Sequence, residues 1–302
     1  MRVFVTGASG WIGSAVVREL QANGHQVVGL ARSDAAAETV SAGGAEVLRG
    51  DVQDLDILRG GARDSDGVVH LAFRHDVAFG GDFEAAVDSD LEAITAIGEV
   101  LAGSDRPLAI ASGLAGVAPG TVATENDRPE PFPGPGGRVA NERAALAFAD
   151  RGVRSMSVRF APTVHGDGDN GFIRMIVDAD RDHGVAAYVG SGSNHWPAVH
   201  RSDAARLVRL GIESAPPASV LHAAGEQGVG FREVAEAIGR GLGLPVRSIS
   251  QEQAVEQFGF LARFIAMDVA ASSEITRELL GWTPTGPSLV EDLDAGHYFG
   301  AR

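Results

Sequence analysis

The sequence predicts an α/β fold, a doubly wound parallel sheet followed by a smaller C-terminal α/β substrate lobe. Three observations predict it. A short apolar run at residues 2–5 meets the pattern T-G-x-x-G-x-x-G at Thr6, Gly7, Gly10 and Gly13, followed by an amphipathic stretch. Runs of strand character then alternate with helical periodicity as far as Phe160. Such alternation implies parallel strands joined by right-handed crossovers. Beyond Pro162 the regularity loosens, as expected of a second, smaller lobe.

In chain order, residues 2–5 form the first strand, 14–22 an amphipathic helix and 26–31 a second strand. Residues 45–48 read as a third strand, followed by Gly50-Asp51-Val52. A helix over 55–62 leads to a fourth strand at 67–72, and 83–101 is a long helix. Residues 108–112 form a fifth strand, and 119–137, rich in proline and glycine, form a surface loop. Residues 139–150 are helical and 154–160 are a sixth strand. The second lobe should contain a helix near 171–183, a strand at 186–189 and a glycine loop at 190–192. A helix at 203–214, a return strand at 219–224 and short helices at 231–242, 251–258 and 272–280 complete it, the last closed by Gly281. The division expected is residues 1–162 for dinucleotide binding and 163–302 for substrate, with a segment near 195–225 returning to the first core.

The glycine pattern carries the chemistry. Gly7 permits a tight turn, Gly10 lets backbone approach a pyrophosphate, and Gly13 lets the helix pack against the strand. The helix N-terminus offers free N–H groups and the positive end of a dipole. With a strand before it and a helix after it, this turn predicts a dinucleotide site at Gly7, Ser9, Gly10, Trp11, Ile12 and Gly13. The second strand ends in Arg32-Ser33, where an NAD-specific site would place an acid for the ribose 2′-hydroxyl. An arginine fork suits a 2′-phosphate instead, so NADP(H) is expected in preference to NAD(H), with NAD(H) still possible.

The chain has 302 residues, 44% hydrophobic and 22% charged, ordinary for a globular protein with a sizeable core. Its 25 basic residues against 40 acidic give a net charge of −15, which argues against nucleic acid and anionic membrane as partners. With no cysteine, disulfides, thiolate nucleophiles and thiolate-bound metal are excluded. His70 and His75 flank Phe73 and Arg74 without metal-ligand spacing, and no metal site is expected. Lysine is absent too, so no step can use a lysine amine. A first strand that starts at residue 2 leaves no room for a signal peptide, and no apolar run approaches membrane-spanning length, so a cytoplasmic location is expected.

Together these landmarks resemble the extended short-chain dehydrogenase/reductase superfamily, in its NAD-dependent epimerase/dehydratase group. The segment T-G-A-S-G-W-I-G resembles that group's cofactor motif, and Asp51 with Val52 its adenine-contacting segment. Leu71, Ala72 and Phe73 resemble the stretch that passes the cofactor ribose, and Ser112 stands where the family keeps an active-site Ser or Thr. The run 159–166, with Pro162, Val164 and His165, resembles the turn that backs the nicotinamide, and 199–205 the segment that re-enters the core. The resemblance leaves a homodimer open.

At its centre the chain departs from the family, whose acid is a tyrosine four residues before a lysine on one helix, so that both share a face. Spacing from Ser112 puts Arg138 at the tyrosine position and Glu142 at the lysine position. Counting back from Arg159 gives Gly134 and Arg138 instead. Neither register holds a Tyr or a Lys, which marks an atypical member.

Several residues are candidates for the missing chemistry. Ser112 is placed to hydrogen-bond a substrate oxygen or to cap a strand end. Glu142 and Arg138 read as an acid and an anion clamp, or as a solvated ion pair on a helix. His165 on the nicotinamide turn offers an imidazole for proton transfer, and Tyr188 offers a proton from the opposite wall. Phe73, Trp196 and His200 are candidates for substrate contact, with core packing as the alternative for Trp196 and His200. The expected function is an NADP(H)-dependent reductase of a small, fairly apolar carbonyl or unsaturated compound, using a non-standard proton donor. The alternative is a dinucleotide-binding sensor without turnover, and behind it a nucleotide-sugar epimerase or dehydratase.

Overall fold

Strand residues in the first half are apolar on both faces, and such runs need helices on both sides. A computed structural model describes residues 1–131 and 136–300 of the chain and shows how this need is met. Strands β1 (Arg2–Thr6), β2 (Gln26–Ala31), β3 (Glu46–Arg49), β4 (Gly67–His70), β5 (Pro107–Gly113) and β6 (Arg154–Phe160) pair in parallel. Helices α1 (Trp11–Ala22), α2 (Asp34–Ala42), α3 (Leu55–Arg63), α4 (His75–Phe79), α5 (Phe83–Leu101) and α6 (Gly137–Ala147) fill the connections. Val3 and Val5 pack into one apolar layer with Val16 and Leu20, while Phe4 packs into the other with Leu58, Ile94 and Ile97.

After β7 (Thr163–His165) and α7 (Phe172–His183), the chain forms β8 (Ala186–Val189), β9 (His195–His200) and α8 (Arg201–Ser214). It returns to the first sheet with β10 (Ser219–Ala223), parallel to β6, giving seven strands in the order β10-β6-β5-β4-β1-β2-β3. Helix α8 packs on α1 and joins the same apolar layer through Ala204, Leu207 and Val208. Then follow β11 (Glu226–Gly230), α9 (Phe231–Leu242), β12 (Val246–Ile249), α10 (Gln251–Phe258), α11 (Ala262–Ile265), α12 (Glu274–Leu280) and α13 (Leu289–Asp294). A separate apolar cluster around Trp196, Phe231, Ile238 and Leu289 holds this part together. Two small sheets serve it, β11-β9-β7 and β12-β8.

The alternation expected from sequence is present, with differences at particular elements. Helices α2, α4, α11 and α13 and strands β7, β9, β11 and β12 are additional to it. Strand β9 carries Trp196-Pro197, and short β12 is largely exposed, so neither shows the apolar alternation of a longer strand. The fourth strand stops at His70, because the chain turns there into the crossover. Gly134, one of the two positions for the family tyrosine, lies outside the described residues.

Candidate active site

In a doubly wound sheet the site lies beyond the C-terminal strand ends, where the order of strands reverses. Here that reversal falls between β1 and β4, and a cleft of about 650 Å³ opens there. It runs from the ends of β2 and β3 across the glycine turn to the ends of β5 and β6.

The glycine turn forms its floor. Gly7 has φ +67°, a left-handed conformation that favours glycine, and a Cβ there would lie 2.8 Å from the Ala72 nitrogen. At Gly13 a Cβ would come within 2.0 Å of the Gly7 carbonyl oxygen, so only glycine lets α1 sit this close to the turn. Gly10 has φ −74° and needs no unusual conformation, but a Cβ there would crowd the Gly7 oxygen at 3.1 Å. Helix α1 has no side-chain cap and no acid in its first turn, so its N–H groups and dipole face the cleft uncompensated. That arrangement fits an elongated ligand bearing a pyrophosphate. Trp11 fastens the turn to the opposite wall by donating its Nε1–H to the Val164 carbonyl at 2.7 Å, and the Arg201 guanidinium covers its ring at 3.9 Å.

A buried hydrogen-bond chain holds these parts in register. The Ala72 N–H donates to the Thr6 hydroxyl (3.2 Å), which lies 2.8 Å from His70 Nδ1. His70 Nε2 is 3.1 Å from Asp90, and Asn141 on α6 donates to the other Asp90 oxygen at 2.8 Å. Burial acts to raise the Asp90 pKa, but the hydrogen bond and charge of His70, with Arg138 and Asn141, leave it below the usual carboxylate value. His70 is therefore a structural link between the glycine turn and α6.

Of the residues expected to hold cofactor, Gly7, Ser9, Gly10, Trp11, Ile12, Gly13, Arg32, Asp51, Val52, Leu71, Ala72, Phe73, Pro162 and Val164 line the cleft. Ser33 does not; its hydroxyl caps α2 by accepting the Ala36 N–H at 3.2 Å. Arg32 extends over the cleft and meets a carboxylate oxygen of Asp76 on α4 at 3.2 Å.

The expected catalytic residues separate. Arg138 is half-buried beside the cleft, its guanidinium 4.5 Å above the Phe73 ring and donating to the Ala111 carbonyl at 2.8 Å. Both Phe73 and Ala111 line the cleft. Burial pushes the Arg138 pKa below the usual arginine value, against the opposing charges of Asp90 and Glu142. One helical turn on, Glu142 points deeper. Arg159 grips it through Nε (3.0 Å) and a terminal nitrogen (2.5 Å), Ser157 donates to it at 2.8 Å, and the Ser112 hydroxyl lies against it. Glu142 is only 3% exposed and Arg159 1%, so this is an internal ion pair rather than the solvated pair or the cleft acid expected from sequence. These partners outweigh burial and hold the Glu142 pKa below its usual value, so the group stays ionised. Ser112, turned toward that carboxylate, does not line the cleft.

His165 is fully buried on β7, its Nδ1 2.9 Å from Asp292 and its ring edge-on to His200. Tyr188 packs on β8 beneath the Arg232 guanidinium, 5.6 Å away. The position of each off the cleft corrects its reading as proton donor. Trp196 is a core anchor: 2% exposed, it donates to the Phe264 carbonyl and packs edge-on against Phe231. His200 caps α8 through Ser202. Neither lines the cleft, so of the expected substrate contacts only Phe73 does.

The structure adds cleft residues that sequence reasoning missed. Arg74, His75, Asp76 and Phe79 follow Phe73 on the crossover into α4, and Asp169, Asn170, Phe172, Ile173 and Met175 come from the start of α7 and the loop before it. Their signal was position: each segment directly follows a strand that ends at the cleft. Among the described residues, no helix is long and apolar enough to cross a membrane.

Comparison with known proteins agrees with this architecture. Residues 3–221 match the NAD dependent epimerase/dehydratase family. An uncharacterised Schizosaccharomyces pombe protein is 44% identical over 301 residues, covering 99% of this chain and 100% of that one. A Saccharomyces cerevisiae protein, also uncharacterised, is 44% identical over 299 residues, covering 98% of this chain and 99% of that one. Among solved structures, MoeE5 in complex with UDP-glucose and NAD has a TM-score of 0.77 at 26% identity, covering 99% of this chain and 98% of that chain. With the glycine turn, the switch-point cleft and the match over most of its length, this chain belongs to the NAD dependent epimerase/dehydratase family.

Proposed function

We propose that the protein is an NADP(H)-dependent reductase of a small, fairly apolar carbonyl or unsaturated compound, an atypical member of its family in which Arg138 replaces the tyrosine. The observation that carries this reading is the Arg138–Phe73 pair at the β5 end of the cleft. There the Arg138 guanidinium stacks on Phe73, beside a pocket walled by Phe73, Phe79, Phe172, Ile173 and Met175. Such a wall suits a compact apolar substrate with one polar oxygen better than a nucleotide sugar, although MoeE5 holds one.

Each part of the cleft then has a role. The α1 N-terminus receives the pyrophosphate, Asp51 and Val52 flank the adenine end, and Leu71, Ala72, Pro162 and Val164 flank the nicotinamide end. Arg32 stands at the end of β2, where an NAD-specific site would place an acid, and this supports the choice of a 2′-phosphate. Bound here, the nicotinamide supplies a hydride. Arg138 donates hydrogen bonds to the substrate oxygen as negative charge develops on it, in a site where apolar rings exclude water and strengthen that interaction. As an arginine it holds its own proton, so a different group completes the reduction.

The test is NADPH oxidation across a panel of aldehydes, ketones and enones, with UDP-glucose as a comparator. Turnover of apolar carbonyls or enones is expected, with a fall of about 100-fold or more in Arg138→Ala, the scale for losing one oxyanion donor. Tight NADPH binding with no turnover on any compound would support the sensor instead, and turnover of UDP-glucose alone would support a nucleotide-sugar enzyme.

A further inference from the structure

Arg138 leaves the proton unassigned, and the three donors expected from sequence lie off the cleft. The ionisable groups that do line it are Arg32, Asp51, Arg74, His75, Asp76 and Asp169. Asp51 belongs to the β3 end, and Arg32 and Asp76 pair with each other. Arg74 carries a guanidinium, a poor general acid. Both oxygens of Asp169 are committed, one to the Gly171 N–H at 2.6 Å and the other to the Tyr298 hydroxyl at 2.8 Å. His75 remains. Its ring lies edge-on to Phe73 at 5.1 Å and tilted against Phe79 at 5.5 Å, and among the described residues its nitrogens take no hydrogen-bond partner.

We infer that His75 is the catalytic residue that exchanges a proton with the substrate oxygen. The inference rests on the reductase reading above. In reduction the carbonyl carbon gains hydride and forms a C–H bond as the C=O π bond breaks. The π pair moves to oxygen, which forms an O–H bond with the imidazolium proton as the N–H bond breaks. The nicotinamide is oxidised, the carbonyl is reduced to the alcohol, and His75, exposed at the cleft, regains its proton from water. For an enone reduced at the double bond, the same proton reaches the oxygen of the enolate.

The surroundings of His75 set the pH dependence. Partial desolvation against the Phe73 and Phe79 rings and then the Arg138 charge from α6 lower its pKa below the usual histidine value, against Asp76 on its own helix. Arg74 and Asp169 face the same cleft, Arg32 partly neutralises Asp76, and the second lobe contributes the uncharged Phe260 stacked on Phe79 at 5.0 Å. Reduction uses the protonated ring, so its rate falls as pH rises through that lowered pKa. Alcohol oxidation uses the neutral ring and rises over the same window.

The experiment compares His75→Gln with wild type in full pH profiles of NADPH-dependent reduction, and measures NADPH binding by calorimetry. The expected result is a rate about 100- to 10,000-fold lower, loss of the alkaline fall in reduction, and NADPH affinity within threefold of wild type. Added imidazole should restore part of the rate in the variant and do nothing for wild type. A variant within threefold of wild type at every pH would overturn the role of His75 while leaving the reductase reading standing. So would a variant whose loss is explained by a tenfold or greater loss of NADPH affinity. No turnover by wild type on any carbonyl or enone would remove both.

Discussion

At the residue scale, the decisive contrast lies between Arg138 and Glu142, one helical turn apart on α6. Both are charged and both face inward, yet one borders the cleft and the other is absorbed by Arg159. Depth separates them, and no local pattern in the sequence reports depth. Removing one member of a buried ion pair strands the other, which costs roughly 3–5 kcal/mol. Glu142→Gln should therefore lower unfolding free energy by about that amount in a denaturant titration. Glu142→Leu combined with Arg159→Met should lose much less, because neither charge is then stranded. Arg32 belongs to the same scale. A charge-assisted contact worth about 1.5–3 kcal/mol should make NADPH bind at least roughly tenfold more tightly than NADH, and Arg32→Ala should erase the difference while leaving NADH affinity nearly unchanged. Asp76 competes for that guanidinium, so Asp76→Asn should tighten NADPH binding without tightening NADH binding. Calorimetric titration with both cofactors reads all three outcomes.

At the scale of elements, α1 is positioned by the absence of a side chain at Gly13. In Gly13→Val the new Cβ would collide with the Gly7 carbonyl oxygen, shift the helix off the turn and abolish dinucleotide binding. Helix α7 makes a different prediction. Asp180 is buried with one oxygen accepting from Ala187 and Gln257 and the other unpartnered, and burial pushes its pKa up to about 8. The folded state holds this proton where the unfolded chain releases it, so the stability attached to it is lost progressively from about pH 4 and fully lost above about pH 8. Asp180→Asn should flatten that fall and add on the order of 2 kcal/mol at pH 9, measured by unfolding at a series of pH values. Elements of the first half that are long runs with one period were legible: β2, α5 and β6 have the bounds that periodicity indicates. Strands β7, β9 and β11 were not, since their pairing is long-range and β9 carries Pro197. The five-residue helix α4, which carries His75, is too short to show a period.

At the scale of the whole molecule, the parallel sheet supplies the cofactor half of the cleft and the second lobe closes it with Phe172, Ile173 and Met175. The glycine turn made the first half readable, because its chemistry is local in sequence. The second wall was hidden, because Phe79 and Phe172 are distant in the chain and come to line one cleft only in the fold. The central claim, that this cleft passes hydride from a nicotinamide to a small carbonyl or enone, is tested most directly with NADPH deuterated on the transferring face of C4. The account predicts one deuterium on the reduced carbon of the product, carried there by wild type and about 100-fold more slowly by Arg138→Ala. NADPH bound tightly, with no deuterium reaching any compound of the panel, would contradict it.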